Sequence, residues 1–152
     1  MQSARKLPPP EPRLKKKILI VDDGEMAHVL LSKLFKPDIY EVYKTYSGEQ
    51  ALALIRQLPP GCFDAILTDF HMPPGMNGGT FIQQCRSLPG YHDKPIVLIS
   101  GEPAQKLEKV MNEVGANAYF TKPVSSKDLL GYLEPIFHKQ DEELDLIGDI
   151  RG

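Results

Sequence analysis

The chain has 152 residues, 41% hydrophobic and 25% charged, enough apolar material for one core of ordinary domain size. Its 18 Lys and Arg against 20 Asp and Glu leave a formal charge of −2, which excludes attraction of the whole molecule to nucleic acid or anionic membrane. Cys62 and Cys85 lack the spacing of a zinc site or redox pair and read as free thiols, and no apolar run is long enough to span a membrane. In chain order, residues 1–17 hold six Lys/Arg and four Pro, a composition that predicts a flexible leader over 1–15 with no apolar region of a signal peptide. A soluble cytoplasmic protein is expected. Short β-branched runs then alternate with helical patterns. Strands are predicted at 17–21 (KILIV), 40–46 (YEVYKTY), 63–68 (FDAILT), 95–100 (PIVLIS) and 117–121 (NAYFT). Between them, 25–35, 47–58, 79–88 and 103–115 carry apolar residues at helical spacing, and a fifth helix follows at 125–139 with Ser125 and Asp128 as its capping box. Pro135 is expected to kink or stop that helix, and the acidic tail 140–152 to fray.

Strict βα alternation, with ILIV and IVLI apolar on both faces, predicts an α/β fold: a doubly wound parallel sheet with helices on both sides. Sites in such sheets form beyond the carboxyl ends of the strands. The first strand ends in Asp22 and Asp23, the third in Asp69, the fourth in Ser100 and the fifth in Thr121 and Lys122. Each has an ordinary explanation, Asp23 as a helix N-cap, Asp69 as a turn residue, Ser100 as a satisfied hydroxyl and Lys122 as a solvated cation. Their joint placement on one edge favours a site. Three crowded carboxylates raise one another's pKa values unless a cation compensates them, and a hard divalent ion with oxygen ligands suits the set. Three acids, one Mg²⁺ and Lys122 balance to zero charge, an arrangement able to receive a phosphoryl group.

The runs ILIVDD, ILTDFHMPPGMNG, VLISG and AYFTKP, in this order and spacing, make residues 16–139 resemble the receiver domain of two-component response regulators. The resemblance implies a flavodoxin-like sheet of five parallel strands in the order 2-1-3-4-5. It implies Asp69 as phosphoacceptor, Asp23 as metal ligand, Asp22 acting largely through metal-bound water, and the His71 carbonyl as a further ligand for Mg²⁺. Ser100 corresponds to the switch hydroxyl, Lys122 to the family's lysine and Tyr119 to the switch aromatic, with a cis Lys122–Pro123 bond. The implied partners are a sensor histidine kinase or phosphotransfer protein and a downstream protein target, with no direct nucleic-acid contact and no membrane. A homodimer on phosphorylation is left open.

This sequence departs from the family pattern in the loop after Asp69, which is one residue longer through Pro74 and Gly75, and in Asn77, where Asp is more usual. With Gly78 and Gly79 in succession, the third helix is expected to begin late. Gly101 is expected to allow close approach behind Ser100. His28, His71, His92 and His138 are scattered without a transition-metal pattern. Met26, Val29, Leu30 and Leu34 on the first helix suit part of a kinase-docking face. The expected protein is a stand-alone, single-domain response regulator and not an enzyme beyond gaining and losing its own phosphoryl group. The alternatives are a receiver piece of a hybrid sensor kinase, a Mg²⁺-dependent phosphatase with an Asp nucleophile, and a phosphorylation-independent scaffold.

Overall fold

The structure, a computed structural model, describes residues 14–151, with side chains described to Leu146; most of the expected leader lies outside the described residues. Five strands, β1 (Lys16–Val21), β2 (Tyr40–Thr45), β3 (Ala65–Thr68), β4 (Ile96–Ser100) and β5 (Ala118–Thr121), alternate with five helices. These are α1 (Glu25–Ser32), α2 (Gly48–Gln57), α3 (Gly78–Arg86), α4 (Ala104–Val114) and α5 (Ser126–Arg151). The strands form one sheet in the order β2-β1-β3-β4-β5, every pair parallel, as expected. Among the described residues no helix is long and apolar enough to cross a membrane.

Alternation along each strand divides the core in two. Leu19, Val21, Ile66, Ile96 and Leu98 face one side and pack with Leu52 and Ile55 of α2 and Phe81, Ile82 and Cys85 of α3. Ile18, Ile20, Leu67, Val97 and Ile99 face the other and meet Leu31 of α1, Phe35 beyond it, and Leu129, Leu133 and Phe137 of α5. Both faces are covered, which is why the central strands carry no polar face. Cys62 is half-buried and Cys85 buried, both free thiols.

The fifth helix differs from expectation. It continues through Pro135 to Arg151. Proline removes the bond to the carbonyl four residues earlier and crowds it, but that residue is Gly131, and both Gly131 and Pro135 are exposed to water. Leu129, Leu133 and Phe137, at four-residue intervals, hold the helix to the sheet on both sides of the proline. Nor does the helix fray at residue 140. Lys16 at the start of β1 pairs with Asp141 at 2.8 Å, and its ammonium lies 5.7 Å from the Phe137 ring centre. α1 is shorter than expected, ending at Ser32, and Leu34 and Phe35 follow in turns bonded to Leu31 and Ser32.

Arg86 at the end of α3 fixes the loops that enter β4 and β5. Its Nη1 donates to the carbonyls of Tyr91 (2.9 Å) and Lys94 (2.6 Å), and its Nη2 to the Gly115 carbonyl (2.9 Å) and Asn117 Oδ1 (2.6 Å). Asn117 Oδ1 also accepts from Ile96 N at 2.8 Å, so one guanidinium and one amide align the start of β4 with that of β5. Burial lowers the Arg86 pKa. Charge-assisted bonds of this kind are individually among the stronger ones. Arg86→Ala is expected to lower the unfolding free energy by about 3 kcal/mol, measured by urea denaturation, and Arg86→Lys to recover less than half because an ammonium lacks the planar fork.

Candidate functional site

The sheet register builds the site. Val21 pairs with Thr68, so the residues just beyond, Asp22 and Asp69, emerge side by side, and Asp69 N still donates to the Val21 carbonyl at 2.9 Å. Ser100 pairs with Thr121, and Lys122 N bonds the Ser100 carbonyl at 2.9 Å, which delivers Lys122 to the same edge.

Lys122 Nζ lies 2.6 Å from Asp22 Oδ2 and 3.0 Å from Asp69 Oδ2. Carboxylate oxygens of Asp22, Asp23 and Asp69 all lie within 4.8 Å of one another. Asp22 is buried, Asp23 exposed and Asp69 half-buried, so the cluster opens to solvent on one side. Burial has the largest effect on Asp22 and raises its pKa against the opposing bonds from Lys122 and Gly24 N, while the Asp69 charge raises it further. Burial works against the Lys122 charge, but the bonds to Asp22 and Asp69 outweigh it and raise the ammonium's pKa. Three oxygen donors in this space, with one lysine already on the inner side, fit a hard divalent cation on the open side and do not fit a soft metal.

Asp23 does not cap α1. The N-cap is Gly24, without a side-chain bond, and Asp22 Oδ1 accepts from Gly24 N at 2.9 Å. Asp23 is thereby left free to face the cluster. Ser100 is buried at the end of β4, its Oγ 3.4 Å from Glu102 N. Tyr119 is half-buried on β5 and packs against the core cluster beneath α2, α3 and α4. His71 sits two residues beyond Asp69 with its side chain exposed. The Lys122–Pro123 bond is cis, and so is Pro73–Pro74 in the lengthened loop. Gly101 does not have the role expected of it: a Cβ there would meet nothing within 4 Å.

The loop after Asp69 is irregular but anchored. Met72 is buried in the core, Met76 N donates to Glu49 Oε1 of α2 at 2.7 Å, and Asn77 Oδ1 accepts from Thr80 N at 2.9 Å, capping α3. The capping bond explains the Asn, and α3 starts at Gly78, one residue before the expected start. Gly78 itself was not singled out from sequence as a site-shaping residue. A Cβ on it would lie 2.1 Å from the Asp69 carbonyl oxygen and 2.9 Å from Phe70 Cα. The GG doublet was the available signal, though nothing local says which glycine touches the strand end. Thr68 Oγ1, bonding the Asp69 carbonyl at 2.8 Å, is a second supporting contact legible only in three dimensions.

A five-stranded parallel sheet in the order 2-1-3-4-5, carrying acids and a lysine at its carboxyl edge, defines an α/β receiver-type signalling domain. Residues 18–134 match the model of the response regulator receiver domain, and the chain belongs to that family. The chemotaxis response regulator CheY4 of Vibrio cholerae is 28% identical, with 81% of this chain and 99% of that chain covered and a TM-score of 0.70. A CheY-like receiver domain protein of Methanospirillum hungatei is 25% identical over 86% of this chain and 99% of its own, with a TM-score of 0.73. The receiver domain of a sensor histidine kinase of Pseudomonas aeruginosa, which has a magnesium ion coordinated in its active-site cleft, shares the fold at 22% identity, covering 80% and 97% of the two chains with a TM-score of 0.70.

Gly78→Ala is expected to destabilise the protein by about 1–3 kcal/mol, because the added methyl meets backbone that cannot step aside. Gly79→Ala, whose Cβ would meet the Asn77 Oδ1 at 3.2 Å and Val114 Cγ1 at 3.4 Å, is expected to cost less. Thermal or urea unfolding of the two variants checks the contrast.

Proposed function

We propose that this receiver domain accepts a phosphoryl group on Asp69 from a histidine kinase or phosphotransfer protein, in a Mg²⁺-dependent reaction, and that the phosphorylated form signals through a protein-interaction surface. The observation that carries the reading is Lys122 Nζ held between Asp22 Oδ2 (2.6 Å) and Asp69 Oδ2 (3.0 Å), with Asp23 in the same cluster.

In this reading an Asp69 carboxylate oxygen attacks phosphorus in line with the leaving group. The new bond is an acyl phosphate P–O, the donor's P–N or P–O bond breaks, and its electron pair leaves with the donor. Asp22 and Asp23 with Asp69 would hold the Mg²⁺. Bound there, it supplies positive charge for the transferring phosphoryl oxygens. Lys122 turns from the Asp69 carboxylate to a phosphoryl oxygen, and the Ser100 hydroxyl donates to another. Inward movement of Ser100 makes room for Tyr119 to change position on β5, which alters the surface formed with α4 and α5. His71 contributes its backbone carbonyl as a metal ligand by family resemblance.

A protein partner is supported by the outer face of α1, beside the site. Met26 is 68% exposed, Leu30 51% and Val29 37%, large apolar side chains in one patch. Leu34, by contrast, packs partly into the core and leaves that face. A phosphatase reading is weaker, since such enzymes need a second acid two residues after the nucleophile, where this chain has His71. We place the protein in the cytoplasm, in keeping with its two free thiols.

Incubation with Mg²⁺ and acetyl phosphate is expected to add one phosphoryl group, located by peptide mass spectrometry at Asp69. Labelling of Asp69→Asn at the original level would sink the assignment. Mg²⁺ alone, at a hundredfold excess over its dissociation constant, is expected to add about 2.7 kcal/mol of apparent stability. That gain should disappear in Asp23→Asn and on chelation, as read by thermal unfolding with and without the ion.

A further inference from the structure

His28 on α1 is fully buried, and the phosphoryl-transfer reading gives it no task. Its Nε2 lies 2.8 Å from the Asp22 carbonyl oxygen. A carbonyl only accepts, so the ring proton at this contact is on Nε2. The other ring nitrogen, Nδ1, is buried without a hydrogen-bond partner, and so is Ser32 Oγ one turn further along the helix. Packing alone is a poor account of a residue whose second ring nitrogen is left unpaired, and a leucine of similar size would leave the Asp22 carbonyl without this donor instead. What the imidazole supplies and a leucine cannot is the bond to Asp22.

That carbonyl stands where β1 leaves the sheet. Asp22 N donates to the Thr45 carbonyl at 3.1 Å, and Asp22 Oδ1 accepts from Gly24 N at 2.9 Å. His28 fixes the third side. The Asp22 carbonyl shares a rigid peptide plane with the nitrogen of Asp23, so its direction sets how Asp23 leaves the chain. The imidazole is itself held: the Tyr46 ring lies against it, with centroids 4.5 Å apart, and Tyr46 Oη donates to Glu25 Oε2 at 2.8 Å.

We propose that His28 is a positioning residue for the acid pair, holding the Asp22–Asp23 peptide in the orientation in which Asp22, Asp23 and Asp69 converge on one divalent cation. The inference rests on the Mg²⁺-dependent reading of the site and deepens it.

The test uses the full chain. Mg²⁺ is titrated without phosphodonor, following the Asp23 amide and the His28 ring by NMR, and acetyl phosphate labelling is then measured across Mg²⁺ concentrations. In the original protein the ring should show the Nε2–H form, and its resonances should move with the same Mg²⁺ midpoint as the Asp23 amide. His28→Leu exchanges an unpaired ring nitrogen for an unpaired Asp22 carbonyl and should fold, with an unfolding temperature at or modestly below the original. It should need several-fold more Mg²⁺ for half-maximal labelling, with the rate at saturating Mg²⁺ largely restored. His28→Gln, whose amide can donate to the same carbonyl, should recover part of the Mg²⁺ affinity. An unchanged Mg²⁺ midpoint in His28→Leu, or a His28 ring indifferent to Mg²⁺ while the Asp23 amide responds, overturns the inference and leaves the site reading standing. An Asp23 amide that also stays still overturns both. If His28→Leu does not fold, His28→Gln and the ring resonances of the original protein decide.

Discussion

A single ammonium between two carboxylates organises this domain's working edge. Lys122 comes from the far side of the sheet and closes onto Asp22 and Asp69, residues that leave neighbouring strands. Removing either acid from water costs free energy, and crowding them costs more; the lysine offsets both on the inner side while the outer side stays open. The parallel sheet makes this possible. It sends every strand's carboxyl end to one rim, and its two covered faces hold the strand ends in a fixed register.

The rim also has to be rigid where backbone is irregular. The loop after Asp69 has no ladder to hold it, and four separate contacts take that role: Met72 in the core, Glu49 on Met76 N, the Asn77 cap, and Gly78 against the Asp69 carbonyl. On the opposite flank of the acids, His28 and Tyr46 do the same for the end of β1. Ser100 ends β4 and Tyr119 lies on β5, one buried and one half-buried; in the proposed reaction the Ser100 hydroxyl would meet the phosphoryl group on Asp69 and Tyr119 would carry the movement to the surface beside α4 and α5. In the proposed reaction, ligation, support and read-out thus fall to different groups around one carboxylate.

Much of this was legible in one dimension. Apolar runs with no polar face announced buried parallel strands, and acids and a lysine at successive strand ends announced a rim. These signals are local, since period and strand-end chemistry are written in consecutive residues. The errors arose where neighbours in space outweighed neighbours in sequence. The first helix is expected to reach residue 35, but it ends at Ser32, and Leu34 and Phe35 follow in turns and pack toward the core. Pro135 reads as a stop, but it and Gly131, whose carbonyl loses its helical partner, are both exposed to water, and three core side chains carry α5 past them.

The sequence by itself determined the order of elements, the two-faced core and the list of chemical groups at the carboxyl edge, because each follows from side-chain type and spacing. Only the tertiary structure decided which of those groups meet. Lys122 reaches Asp22 across 100 residues of chain and Asp69 across 53, His28 turns back to a carbonyl, and Gly78 rests on the Asp69 backbone. Such contacts depend on register and helix placement, which are set by packing of the whole core and not by any segment alone.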